Sequence, residues 1–255
     1  MPQFILNLSY KKLIIITCIS ALVVCGLIFV FQKVFNETFA NVLTNVLVAL
    51  SASVLVSFFW NKFILDATDH YEKSGIKNYS HDFSEIEPQL REKLGKAQKI
   101  EIFFMYGNTF VHSNSSILKA ALSKRSNEIT LMLADAKNPF LEKYAEFWTY
   151  DSEKIPNYIE ETMSLVIGWY EALPKDERAK LEIYQFTKGG FSYGYYKLDK
   201  DIYFVPNKLV ADKTFKPMTI YGSETKSADC LYNHIEKEKT YMMNSGELTK
   251  VYPVG

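Results

Sequence analysis

Two long apolar runs near the N-terminus constrain the fold of this chain more than any other feature. Residues 13–32 include 20 positions without a charge, and residues 38–61 include 24. A helix rises 1.5 Å per residue, so either run can cross the roughly 30 Å of hydrocarbon in a bilayer. Core helices of soluble domains seldom stay uncharged over such a length. The pattern therefore predicts two transmembrane helices, at about 13–32 and 38–60.

The first run also has to be compared with a cleaved signal peptide. Its apolar stretch is longer than a typical signal sequence, and no small-x-small cleavage site follows it. We therefore interpret it as retained. Because the link between the runs is only about five residues, residues 1–62 are expected to form a tight antiparallel transmembrane hairpin.

The charges are segregated along the chain. The whole sequence has 29 Lys+Arg and 29 Asp+Glu. The hairpin segment 1–62 carries a net +3, so the remaining 193 residues carry −3. Its charged residues are Lys11, Lys12, Lys33, Glu37 and Lys62. The positive excess beside the outer ends of the spans predicts a multi-pass protein of the bacterial inner membrane with both termini in the cytoplasm.

The composition of the chain limits the kinds of protein to which the larger, C-terminal part can belong. Apolar residues make up 48% and charged residues 23% of the chain, which excludes a disordered protein. The −3 balance argues against bulk electrostatic binding of nucleic acid. The three cysteines, Cys18, Cys25 and Cys230, show neither a disulfide framework nor a metal-ligand spacing. The pattern indicates a domain of a reducing compartment, and no cofactor or metal is expected.

Residues 63–97 are interpreted as a polar stalk followed by an amphipathic helix, whose apolar positions Ile86, Leu90 and Leu94 fall four apart. Residues 98–255 are predicted to form a cytoplasmic α/β domain with a mixed sheet. Strands at 100–107 and 128–135, joined by a helix ending near 125, predict a parallel βαβ unit. Further strands are predicted at 181–186, 191–198, 202–205 and 218–221, and further helices from about 138, at 157–173 and at 223–244.

Small and polar residues form a stripe along the second apolar run. They are four residues apart, at Asn41, Asn45, Ala49, Ser53 and Ser57. Small side chains allow close helix packing in lipid, and Asn or Ser can hydrogen-bond across helices. The stripe is expected either to pack within the hairpin or to mediate oligomerisation and line a polar path.

The chain has no nucleophile elbow, Walker motif or dinucleotide fingerprint. Asn108 and His112 follow the first strand, at the end where α/β domains bind ligands, and are candidates for binding. A surface role for His112 is the alternative. No catalytic residue is predicted.

The segment 191–207, FSYGYYKLDKDIYFVPN, supplies further candidates. Tyr195 and Lys197, with neighbouring tyrosines, can in principle stack on a nucleotide and neutralise its charge. The alternative is an ordinary aromatic strand. Asp199 is equally well explained as a turn residue.

The order of elements, with this hairpin and its closing Asn207, resembles a phospholipase D-like half domain. In that family the hairpin carries a His and a Lys upstream of an Asp. Aligning Asp199 with that Asp puts Ser192 at the His place and Gly194 at the Lys place. The resemblance therefore implies a catalytically degenerate copy over roughly residues 98–240.

The layout of hairpin anchor plus sensing domain also resembles the two-transmembrane effectors of bacterial retron anti-phage systems. This resemblance implies that a reverse transcriptase and its RNA–DNA hybrid hold the effector inactive. It further implies an active homo-oligomer that damages the inner membrane and causes abortive infection. The alternatives are an effector gated by a cyclic oligonucleotide, a membrane-tethered phosphodiesterase and a plain membrane-anchored scaffold.

Overall fold

The computed structural model describes residues 19, 23–24, 26–30, 33, 37–207, 210–211 and 216–253. Most of the first predicted span lies outside the described residues; its described positions are helical. The chain divides into two compact units, Met1–Tyr71 and Glu72–Gly255.

The first long helix is α1, Glu37–Ser74. Its segment Thr44–Ser74 has a mean hydropathy of 1.7 over its most apolar window, none of which is buried, and is long and apolar enough to cross a membrane. The helix continues beyond the predicted end near residue 60, with Lys62 and Asp66 paired across one turn at 2.8 Å. It ends before Gly75, whose positive φ of 72° favours glycine.

The second unit is a mixed α/β fold built on one eight-stranded sheet. The strands are β1 Ile76–Ser80, β2 Lys99–Phe103, β3 Glu128–Ala134, β4 Lys180–Phe186, β5 Tyr193–Leu198, β6 Asp201–Pro206, β7 Thr219–Ser223 and β8 Leu248–Tyr252. Their spatial order is β1-β7-β6-β5-β2-β3-β4-β8. Strands β2, β3 and β4 are parallel, and every other pairing is antiparallel.

Six helices accompany the sheet in the part of this unit that the structure describes. They are α2 Phe83–Lys96, α3 Asn108–Ser113, α4 Ser115–Leu122, α5 Leu141–Phe147, α6 Lys154–Glu171 and α7 Leu231–Asn244. The predicted βαβ unit is confirmed, although its crossover consists of two short helices, α3 and α4. The amphipathic prediction for α2 is confirmed as well, because Ile86, Leu90 and Leu94 are buried. Asp82 caps α2 and accepts a hydrogen bond from the Ser84 amide at 2.7 Å.

Two edge strands differ from the predicted arrangement. Strand β1 lies within the segment interpreted as a stalk and pairs with β7, so the sheet begins before residue 98. Strand β8 pairs with β4 after the predicted last helix. Both are five-residue strands with little hydrophobic alternation, so periodicity does not distinguish them from loops. Helix α7 starts at Leu231 rather than at 223, because Ser223 is taken into β7.

Successive side chains of β5 point to opposite faces of the sheet. Tyr196 stacks on Phe83 of α2, with ring centroids 6.1 Å apart. Tyr195 and Lys197 face the other way: Tyr195 hydrogen-bonds Glu101, which Lys239 of α7 also contacts, and Lys197 pairs with Glu236 of α7. Helix α7 therefore covers one face of the central strands, and α2 lies on the other.

Candidate functional site

A cavity of about 500 Å³ opens where β2 ends, on the α2 side of the sheet. Rings dominate its lining: Phe83, Phe104, Tyr106, Phe110, Tyr144, Phe147, Trp148 and Tyr196. We call this space the aromatic cavity. Its size lies in the range of small-ligand sites, and the carboxyl end of a parallel strand is where such sites form in α/β folds.

The turn after β2 places the floor of the cavity. Gly107 has a φ of 63°, in the left-handed region, and α3 starts directly after it. A β-carbon at Gly107 would also lie 3.3 Å from Leu133. This tight turn directs Phe104, Tyr106 and Phe110 to the cavity, where Phe110 and Tyr196 pack with centroids 4.8 Å apart.

One face of α2 forms a wall of the cavity. Phe83, Glu87, Leu90 and Arg91 are spaced by three or four residues, or adjacent, so they share that face. The interval from Phe83 to Arg91 corresponds to about 12 Å along the helix axis. The cavity is therefore elongated.

Two cations lie at different ends of this wall. Arg91 pairs with Glu87 at 3.2 Å and donates from Nη2 to the Ser113 carbonyl at 3.2 Å. Lys216 is exposed and lies near the start of α2, since its charge helps the Ser84 amide and hydroxyl lower the pKa of Asp82. Among the lining residues, Arg91 and Lys216 outnumber the single carboxylate of Glu87.

Asn114 lines the cavity on the Arg91 side and is 4% exposed. Its Nδ2 donates to the Phe110 carbonyl at 3.0 Å, which fixes the orientation of the amide. Its Oδ1 has no hydrogen-bond partner in the described part of the chain. A buried acceptor without a donor is unfavourable. This oxygen has almost no accessible surface, so it does not face the open space of the cavity.

Asn207, a predicted binding residue, also lines the cavity. Its Nδ2 donates to the Phe191 carbonyl, and its backbone amide donates to Ser192 O at 2.8 Å. Tyr144 also hydrogen-bonds to Phe191: the Tyr144 hydroxyl donates to Phe191 O and accepts from Phe191 N at 2.8 Å. These bonds hold the loop before β5 against the cavity.

Asn108 and His112 come together at one carboxylate. Asn108 Nδ2 donates to Glu161 Oε2 at 2.8 Å, and His112 Nε2 lies 3.2 Å from Glu161 Oε1. His112 and Glu161 are each about half exposed. The three groups link α3 to α6, and they are not among the residues that line the aromatic cavity.

Tyr195 and Lys197, two of the predicted binding residues, are not among the residues that line the aromatic cavity. They are 1% and 3% exposed and lie on the α7 face of β5. There Lys197 belongs to a group of four charged side chains that we call the charge cluster. The ring centroid of Tyr232 lies 4.0 Å from the ammonium nitrogen of Lys197. The charge cluster comprises Glu101, Lys197, Glu236 and Lys239. Only Tyr196, the intervening tyrosine, faces the cavity.

Asp199 serves the turn between β5 and β6. Its φ is 53°, and its Oδ1 accepts hydrogen bonds from the amides of Gln98 and Lys99 at 3.1 and 2.8 Å. It lies at the opposite end of β5 from Asn207. The structure therefore does not bring Asp199 and Asn207 together.

The phospholipase D-like alignment meets a steric obstacle at Gly194. A β-carbon there would lie 2.7 Å from Phe104 Cδ1 and 3.0 Å from Phe103 O. The ring of Phe104 thus occupies the space into which the family's lysine would project from this position.

We expect Gly194→Ala to destabilise the domain by about 1–3 kcal/mol, because the ring of Phe104 must move out of a packed site. Urea unfolding of the full chain in detergent measures the change. Gly168→Ala is the matched control: no atom lies within 4 Å of a β-carbon there, and alanine in α6 should stabilise by about 0.5–1 kcal/mol. Equal effects at both positions would contradict the steric account.

The charge cluster gives stability a pH dependence. Burial alone raises the pKa of Glu236, but hydrogen bonds and charges from Lys197 and Lys239 outweigh it and lower the pKa to about 2. A lowered folded-state pKa stabilises the domain above the unfolded value of 4.5, and that stabilisation is lost as pH falls towards 2. The stability advantage of wild type over Glu236→Gln should therefore shrink across this interval. An advantage that stays constant in urea titrations from pH 5 to about pH 2 would contradict this.

The five residues of the small and polar stripe all lie on α1, and all five are exposed. Ser53 Oγ donates to the Ala49 carbonyl at 2.8 Å, an i to i−4 bond within the helix. The stripe is thus displayed on a helix that also exposes large apolar side chains, among them Val56 and Trp60.

The aromatic cavity combines segments that no local pattern links. Its rings come from α2, the turn after β2, α3, α5 and β5. Phe147 and Trp148 are adjacent aromatics at the end of a short helix, and Phe147 is 39% exposed. Besides the predicted Asn207, this pair of adjacent aromatic residues is a sequence signal that points to the site without the fold.

No family model and no curated protein matches this sequence. Among solved structures, the chain is similar to the archaeal chromatin protein TrmBL2, which was described as showing a novel mode of DNA binding. That similarity has a TM-score of 0.36 and 12% sequence identity, and it covers 78% of this chain and 71% of that chain. A likeness of this size carries no argument about function.

Proposed function

We propose that this protein is a membrane-anchored effector of bacterial antiviral defence, whose α/β domain controls what its apolar helices do in the inner membrane. The observation that carries the proposal is α1. It exposes a long series of apolar side chains, including Val42, Leu50, Val56, Trp60 and Phe63. Exposing such an apolar surface to water along a helix of this length is unfavourable, whereas a bilayer covers it.

The retron resemblance gives the proposal its specific form. In this form a reverse transcriptase and its RNA–DNA hybrid hold the α/β domain inactive. Their release allows several copies to assemble through the exposed stripe on α1, which leads to membrane damage and abortive infection. A two-state element of this kind needs a partner that binds one state better than the other. The steric obstacle at Gly194 supports a domain that binds rather than hydrolyses.

A nucleotide-gated effector is the second candidate, and the aromatic cavity favours it. Such an effector needs a small-ligand pocket with aromatic and cationic groups, and the cavity has eight rings with Arg91 and Lys216. The two candidates share the membrane anchor and differ in what the α/β domain recognises.

Co-expression separates the candidates. The full chain is produced in a bacterial host alone, with a reverse transcriptase and its RNA from the same locus, or with a cyclic-oligonucleotide synthase. The retron form predicts toxicity that the reverse transcriptase and RNA suppress. The gated form predicts toxicity that appears only with the synthase. Absence of toxicity in all three strains, with the protein in the membrane fraction, would leave a plain scaffold and overturn both.

A further inference from the structure

We propose that the aromatic cavity binds one nucleotide unit, with its base between the aromatic walls and its phosphate at Lys216. The chemistry of the lining leads to this class. Rings outnumber aliphatic side chains, which are represented only by Leu90 and Met105. Aromatic walls favour flat, polarisable ligands through stacking, and nucleobases are ligands of that kind.

The polar groups of the cavity differ in what they offer a nucleotide. Lys216 lines the cavity and is exposed, so a phosphate can reach it from solvent. At the Arg91 end lies Asn114, whose amide nitrogen is committed to the Phe110 carbonyl. Its Oδ1 accepts from none of the described residues. Because Oδ1 has almost no accessible surface, a ligand in the cavity reaches it only if Asn114 moves, so Lys216 supplies the polar contact.

The dimensions agree with a single unit. A wall of about 12 Å accommodates a base, a sugar and a phosphate in line. A cavity of about 500 Å³ holds such a unit but not a duplex. The −3 balance of residues 63–255 argues against bulk electrostatic binding of nucleic acid and favours local recognition.

Two sources can supply this unit: a free nucleotide, or the end of a nucleic-acid strand. Both present the same base and phosphate to the cavity. The inference goes beyond the membrane proposal, because every lining residue lies in the unit Glu72–Gly255.

Fluorescence titration of the full chain in neutral detergent tests the inference. The probes are AMP, adenosine, inorganic phosphate and a 5′-phosphorylated single strand of twelve deoxyadenosines. Trp148 lines the cavity, so a stacked base should quench tryptophan emission. We expect saturable quenching by AMP or by the strand, and binding at least about tenfold weaker for adenosine or phosphate alone. Quenching by AMP assigns the free nucleotide as the source, and quenching by the strand alone assigns a strand end.

Three variants make the result specific. Lys216→Glu should weaken binding at least about tenfold, whereas Lys175→Glu, the same change at an exposed lysine outside the cavity lining, should not. Thr109→Trp places a bulky side chain at an exposed lining position and should block the cavity without disturbing the core. Binding to this variant is measured by titration calorimetry, because the new indole adds to the tryptophan emission. Far-ultraviolet circular dichroism confirms that each variant is folded.

Absence of saturable binding of any nucleotide probe to the folded chain would overturn the inference. So would binding that survives both Lys216→Glu and Thr109→Trp. A negative result in the binding titration leaves the membrane proposal intact, because that proposal is tested separately by toxicity in cells. Loss of toxicity, conversely, leaves the binding result unchanged.

Discussion

Replacing Lys197 by methionine is expected to destabilise the α/β domain by about 3–5 kcal/mol, the cost of breaking a buried ion pair from one side. Lys197 and Glu101 are both 3% exposed, and their charged atoms lie 3.8 Å apart. Lys239 approaches Glu101 at 2.5 Å and Glu236 at 2.7 Å, so the charge cluster is neutral only when both lysines are present. Removing Lys197 leaves an uncompensated negative charge beneath α7.

Urea unfolding of the full chain in detergent, followed by near-ultraviolet circular dichroism, measures this effect. The control is Lys180→Met. Lys180 pairs with Glu182 at 3.6 Å but is 64% exposed, so its loss should change stability by less than about 1 kcal/mol.

A second substitution tests whether the unpaired charge causes the destabilisation by Lys197→Met. Glu101→Gln added to Lys197→Met removes the surplus charge, so the double variant should be more stable than Lys197→Met alone. A double variant less stable than the single one would show that lost packing, rather than unpaired charge, dominates.

Ser53→Asp is expected to abolish toxicity while leaving the α/β domain folded. In an assembly that packs through the stripe, the aspartates of neighbouring copies lie close together in a medium of low dielectric constant, and their repulsion opposes assembly. The stripe on α1 is the surface proposed to join copies of the chain. Colony counts after induction measure the effect, and circular dichroism of the purified protein monitors the fold.

Ser51→Asp is a matched control for Ser53→Asp. Both positions lie on α1 at nearly the same depth but face different sides of the helix, because two residues turn it by about 200°. Both variants carry a similar insertion penalty, so a stripe-specific role predicts that Ser51→Asp remains the more toxic. Equal loss of toxicity in the two variants would indicate an effect on membrane insertion alone and would contradict a role for the stripe.

The centre of the sheet could be predicted from the sequence, and its edges could not. β2 and β3 are rich in β-branched and other apolar residues and are bounded by turn residues, and the Asp199–Lys200 turn marks the hairpin of β5 and β6. These local signals agree with the final fold. β1 and β8 form because a partner strand offers free backbone groups, which is a tertiary cause that leaves little trace in a five-residue sequence.

The candidate site was predictable only in part, for a related reason. Asn207 and Tyr196 line the aromatic cavity, and both belong to the 191–207 segment that supplied predicted binding residues. Tyr195 and Lys197 belong to the opposite face, because alternation along a strand separates neighbours. Lys216, Trp148 and Asn114 come from distant segments, and only the three-dimensional fold shows that they share a space with Tyr196.

The membrane potential of cells that begin to produce the full chain tests the central claim most directly. A voltage-sensitive dye is read from induction onward in cells without the suppressing partners, beside cells that produce Ser53→Asp. We expect the wild-type chain to depolarise the inner membrane before growth stops, and the variant to leave the potential unchanged. A membrane potential that stays intact while the wild-type chain accumulates in the membrane fraction would contradict the account.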